Sequence, residues 1–147
     1  MIRIVEKSTG NEIKGAGRYV TENAFFFLNF VNCFEDGDGN VIIDVVAYDS
    51  PDIIDQMYLT KLRQGKLETR DKSRLLRYAV PIQPAAAEGG DNLVRGKYQD
   101  VLTAQRVNLD PAGDVVQLKP HYICDQAFTG CEHPKVTQMF AAQVDLL

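Results

Sequence analysis

The sequence predicts a mostly β fold, built of antiparallel hairpins with one short helix set between strands. Three observations carry this. Residues 25–48 read FFFLNFVNCFEDGDGNVIIDVVAY, two apolar runs joined by an Asp- and Gly-rich tetrad, which is the pattern of a β-hairpin. Residues 101–118 repeat the arrangement around Asp110, Pro111, Ala112, Gly113 and Asp114. Only residues 50–65 carry helix signals, whereas a doubly wound sheet needs a helix after most strands. A propeller or a sandwich suits this pattern better.

In chain order, residues 2–6 alternate and predict a short strand, ended by Ser8, Thr9, Gly10 and Asn11. A second short strand is expected at residues 18–21. The hairpin follows, with strands at 25–34 and 41–48 and its turn at Asp36, Gly37, Asp38 and Gly39. Its first strand is so apolar that cover on both faces is expected. Strand alternation would put Phe25, Phe27, Asn29 and Val31 on one face, with Asn29 the polar side chain in the middle. The helix has Ser50 as N-cap, Pro51 at its first position and Asp52 at the positive end of the dipole. Ile53, Ile54, Met57, Tyr58 and Leu62 recur at helical spacing, and Gly65 is the expected stop. Residues 74–82 (RLLRYAVPI) predict a strand entering Pro81, and residues 83–91 a Pro-, Ala- and Gly-bearing loop. The second hairpin has strands at 101–108 and 115–118. After Gly130 the pattern fades.

The chain has 147 residues, enough for one domain of ordinary size. Its net charge of −4 and pI of about 5.1 argue against a nucleic-acid binder, which needs clustered Lys and Arg. No apolar run has the length of a transmembrane helix, and the alternating, charged N-terminus is not a signal peptide. Cys33, Cys124 and Cys131 are few and odd in number, which predicts reduced thiols and a cytoplasmic setting.

Two constellations invite chemistry. The aromatics Phe25, Phe26, Phe27, Phe30, Phe34 and Tyr48 could line an apolar tunnel or simply pack a core, and packing is the default for most of them. His121, Cys124, Cys131 and His133 offer zinc-type donors, but the spacing H-x2-C-x6-C-x-H is unlike the close pairs of structural zinc sites. Neither a hydrolase triad nor a phosphate-binding Gly-rich loop is present.

One resemblance runs through most of the chain in order. AFFFLNFVNCFED resembles the FHxxNxxE motif of the carotenoid oxygenase family, with Asn32 and Glu35 in place and Asn29 where the motif has its histidine. VEKSTGNEI, VIIDVVAYD, DQMYLTKLR and LLRYAVPI resemble the family's neighbouring segments, and DNLV, TAQRV and EHPKV its weaker ones. The likeness covers residues 2–137 and is strongest to the animal β-carotene oxygenase and retinoid isomerase type; residues 138–147 fall outside it. It implies one part of a seven-bladed β-propeller, hence a fragment or a derivative of a longer enzyme.

The same resemblance implies oxidative cleavage or isomerisation of a carotenoid or retinoid at a nonheme Fe(II) held by histidines from four blades. Asn29 stands at one of those ligand positions, and an amide oxygen is a poorer iron ligand than imidazole. The alternative is that Asn29 is an ordinary polar strand residue. Tyr48 falls where the family has a bulky cavity-lining aromatic, and Glu35 matches the motif's acid, though it equally suits a hairpin-end carboxylate. The chain alone is therefore expected to bind no Fe(II) and to lack independent activity, and self-association through open sheet edges is expected. A catalytically inactive β-rich binding domain derived from the same fold is the second reading.

Overall fold

The computed structural model describes residues 1–13, 17–65, 73–82, 91–107 and 115–123. They form two sheets with little helix. The strands are β1 (Arg18–Thr21), β2 (Phe26–Glu35), β3 (Asn40–Tyr48), β4 (Arg74–Pro81), β5 (Thr103–Val107), β6 (Val115–Lys119) and β7 (His121–Tyr122), with the short helices α1 (Asp52–Gln56) and α2 (Leu59–Arg63) between β3 and β4. One sheet has the order β2-β3-β4-β7 and is antiparallel throughout; the other has the order β1-β6-β5, with β1 parallel to β6.

The first hairpin forms where the Asp-Gly-Asp-Gly tetrad predicts it. Asp36 Oδ1 accepts the backbone N–H groups of Asp38 (3.0 Å) and Asn40 (2.8 Å), an Asx-type closure that orders the turn from within. Gly39 has φ +82°, a conformation that L side chains rarely adopt. The turn is then tied to the rest of the fold: Asn40 Nδ2 donates to Arg95 O (3.1 Å), and the Lys97 N–H donates to Asp38 Oδ2 (3.1 Å). Gly96, at φ +70°, lies so close to the Asp38 carboxylate that any Cβ there would overlap it. Gly96→Ala is expected to cost about 1–3 kcal/mol of stability, from φ strain plus displacement of Asp38. Urea unfolding checks this, with Asp38→Ala in the Gly96→Ala background recovering the part due to overlap.

The main core is shared by both sheets: Tyr19 from β1, Val45 and Ala47 from β3, Leu76, Tyr78 and Val80 from β4, Ala104 from β5, and Val116 and Leu118 from β6 are all buried in it. Leu93 and Leu102 close it from the loop 92–102. Asn92 holds that loop with four bonds, Nδ2 to Gln99 O (2.9 Å) and Leu102 O (2.8 Å), and Oδ1 from the N–H groups of Val94 (3.2 Å) and Ala104 (3.0 Å). A smaller cluster of Val46, Tyr48 and Ile53, with Phe26, Val31 and Leu75 against it, lies where α1 meets the sheet.

Several expectations need correction. Residues 2–6 form isolated bridges, Ile2 to Tyr19 and Val5 to Glu12, because among the described residues no strand pairs with them over more than one position. The single helix is two: Tyr58 sits at ψ 130°, which breaks the helical path between α1 and α2. Pro51 rather than Ser50 occupies the N-cap, with Ser50 Oγ accepting the Asp52 N–H at 3.3 Å. Gly65, at φ +65°, ends α2 as predicted. Of the helical-spacing residues only Ile53 is buried; Ile54, Met57, Tyr58 and Leu62 are exposed. β2 is an edge strand, and Phe27, Leu28, Asn29 and Phe30 are exposed rather than covered on both faces. The turn at 110–114, the loop 83–90 and the tail 138–147 lie outside the described residues.

Candidate functional site on strands β2 and β3

Asn29 lies in the irregular half of β2. The pairing with β3 runs Phe26↔Tyr48, Phe27↔Ala47, Phe30↔Val45, Asn32↔Asp44, so one extra β2 residue enters between Phe27 and Phe30 and another between Phe30 and Asn32. Each is a bulge, which bends a strand and re-aims its side chains. In a regular strand Phe27 and Phe30 would point to opposite faces. Here their rings meet at 5.0 Å, and Phe27 also meets Phe25 at 6.0 Å. Phe25 stacks on Tyr78 at 5.7 Å and packs on the main core, whereas Val31 packs with Phe26 in the smaller cluster. The expected single face of Phe25, Phe27, Asn29 and Val31 is therefore split by the bulges.

Tyr48 is buried at the end of β3, its ring 6.5 Å from that of Phe26. Glu35 ends β2 and is exposed beside the turn, as a hairpin-end carboxylate would be. Cys33 is a half-buried free thiol, pushed above its ordinary pKa by burial first and then by Asp44 and Glu35, and so is a poor nucleophile. His121 is exposed in β7; Cys124, Cys131 and His133 lie outside the described residues, as does any zinc arrangement they would make. Burial raises the Tyr78 phenol from 10.0 to about 12, with Tyr122 adding to the shift. A raised phenol favours the folded state below its unfolded pKa, and this contribution fades as pH climbs from 10 toward 12. Raising the pH through that window should therefore weaken the fold by up to about 3 kcal/mol, an effect removed by Tyr78→Phe in denaturant titrations at each pH.

Sequence reasoning missed the most polar feature of this sheet. Asp44 is buried in β3, and its two carboxylate oxygens accept Nε and a terminal nitrogen of Arg77 on β4, both at 2.7 Å. Asn32, Asp44, Arg77 and His121 are register partners across all four strands. Tyr98 lies over the guanidinium at 5.7 Å. Arg77 is held above its ordinary pKa by its bond to Asp44, with burial opposing. The signal was legible: each is a lone charge inside an apolar run, VIIDVVAY and LLRYAV, and a charge so placed needs a partner.

An antiparallel sheet with an aromatic, outward-facing edge and a bulged motif strand defines a β protein whose polar motif residue lies on an edge rather than in a closed pocket. The chain belongs to the carotenoid oxygenase family: the family model described as retinal pigment epithelial membrane protein matches residues 1–143. It is 29% identical over 114 residues to the carotenoid isomerooxygenase of Drosophila melanogaster, a match that takes in 74% of this chain and 18% of that protein. The chain thus spans less than a fifth of the curated relative it matches. For iron, the donor set is poor. Among the described residues no three His, Cys, Asp or Glu side chains gather as a metal site, and Asn29 offers one exposed amide. These residues do not fit an iron centre. No helix among the described residues is long and apolar enough to cross a membrane.

Proposed function

We propose that this chain is a segment of a β-propeller derived from a nonheme iron carotenoid or retinoid oxygenase, and that it lacks independent catalysis. The observation that carries the reading is the family match across residues 1–143 together with coverage of only 18% of a full-length relative. The four-stranded antiparallel sheet β2-β3-β4-β7 supports it, since such sheets are the units of propeller blades. In this reading Asn29 occupies a ligand position of the parent fold, and Tyr48 derives from the wall of its polyene cavity. The chain's own residues would supply an apolar, aromatic surface for a polyene or for neighbouring blades, with Phe27, Leu28 and Phe30 at its exposed edge.

The exposed edge and the apolar side chains of Ile54, Met57, Tyr58, Leu59 and Leu62 also favour self-association of the isolated chain. Size-exclusion chromatography with light scattering is expected to give a concentration-dependent mass above that of the monomer. A sharp monomer peak with one cooperative thermal transition would mark a complete domain and overturn the segment reading. The second reading is a non-catalytic binding domain derived from the same fold. The amide at position 29 favours it, and polyene binding without turnover, followed by quenching of tyrosine fluorescence, would separate it from a bare fragment.

A further inference from the structure

We propose that the pair of buried Asp44 and half-buried Arg77 fixes the register of β4 against β3, and that the fold needs it for a unique pairing rather than for stability. This inference stands independently of the oxygenase reading. Register is usually enforced because a one-residue slip moves the apolar set of a strand to the wrong face. Here that penalty is nearly absent. Val41, Ile43, Val45 and Ala47 alternate on β3 with Ile42, Val46 and Tyr48, so beyond the buried Asn40 at its first position both faces are apolar apart from Asp44. On β4, Leu76, Tyr78 and Val80 alternate with Leu75, Ala79 and Pro81, so beyond Arg74 at its first position both faces are apolar apart from Arg77.

The connection does not set the register either. A tight turn fixes β2 against β3, but β3 and β4 are joined through residues 49–73, too long a link to dictate pairing. Two other ties do not select a register. Tyr19 Oη donates to the main-chain carbonyl of Pro81, a group that every residue offers. The Arg74–Asp49 pair sits at the strand end with Asp49 68% exposed, where ion pairs are weak. In the observed register Asp44 faces Arg77 with two bonds of 2.7 Å. A one-residue slip would set Asp44 against Leu76 or Tyr78, and a two-residue slip against Leu75 or Ala79, in each case giving a buried carboxylate an apolar partner on β4. Exchanging such a pair for apolar side chains is commonly neutral or stabilising, while fixing register is the best-attested use of a buried polar group.

The test uses the full 147-residue chain and interstrand NOEs of the β3–β4 partners. The parent is expected to give one set, with Val45 opposite Leu76 and Ile43 opposite Tyr78. The double variant Asp44→Val/Arg77→Val should melt no lower than the parent yet show doubled or exchange-broadened β4 amides, with contacts displaced by one or two residues. The reversed variant Asp44→Arg/Arg77→Asp should restore a single set. A double variant that keeps the single native set would overturn the proposal, and so would one that unfolds while the reversed variant folds, since the pair would then act through stability alone.

Discussion

Arg77→Ala is expected to lower the unfolding free energy by about 3 kcal/mol, the lower end of what breaking a buried pair costs. The lower end applies because the Arg77 side chain keeps 26% of its exposure, so water can reach part of the vacated space. The loss arises mainly from the partner left behind. Asp44, with 5% of its side chain exposed, would keep a buried carboxylate that has lost both of its bonds to Arg77. The loss should be smaller for Arg77→Lys, which keeps the charge but cannot make the two parallel bonds. Urea titrations of parent, Arg77→Ala, Asp44→Ala and the double variant close a cycle. Coupling well below 1 kcal/mol would mean that the pair is solvated and the burial of Asp44 is unimportant. For a small domain with total stability of about 5–15 kcal/mol, the single substitution would leave little margin.

Strand β3 was legible because a β-branched run followed an Asp-Gly-Asp-Gly turn, and local chemistry alone fixes such a hairpin. β4 was legible for the same reason, its apolar run ending at Pro81. What local chemistry could not supply was pairing between distant segments. The parallel β1–β6 ladder joins residues nearly a hundred positions apart, and β7 is two residues long, so neither leaves a periodic trace. The apolar content of β2 predicted burial without saying by what. Phe27, Leu28 and Phe30 stay exposed among the described residues, so composition gave the need for cover but not its source. The helix failed at one backbone angle, ψ 130° at Tyr58, in a segment whose side-chain spacing was helical throughout.

Asn29 should leave the chain without stoichiometric Fe(II). Iron in an N/O site gains most from several imidazole or carboxylate donors converging on one point. At position 29 the donor is a neutral amide oxygen, exposed on an edge strand in a bulged stretch, and the described residues bring no set of three stronger donors together. His121 lies on β7, at the opposite edge of the same sheet. Metal analysis after loading with Fe(II) under anaerobic conditions is expected to show substoichiometric iron, with no cleavage of β-carotene in detergent micelles. Asn29→His should not change either result, because one imidazole on an exposed edge cannot replace a set of several converging donors, and supporting groups around the ligands matter as much as the ligands. Introduced into a longer chain carrying the remaining blades and their histidines, the same substitution should raise iron occupancy severalfold. Tight one-to-one iron binding by the 147-residue chain would show that other residues of this sequence complete a centre, and the reading of Asn29 as a lost ligand would fall with it.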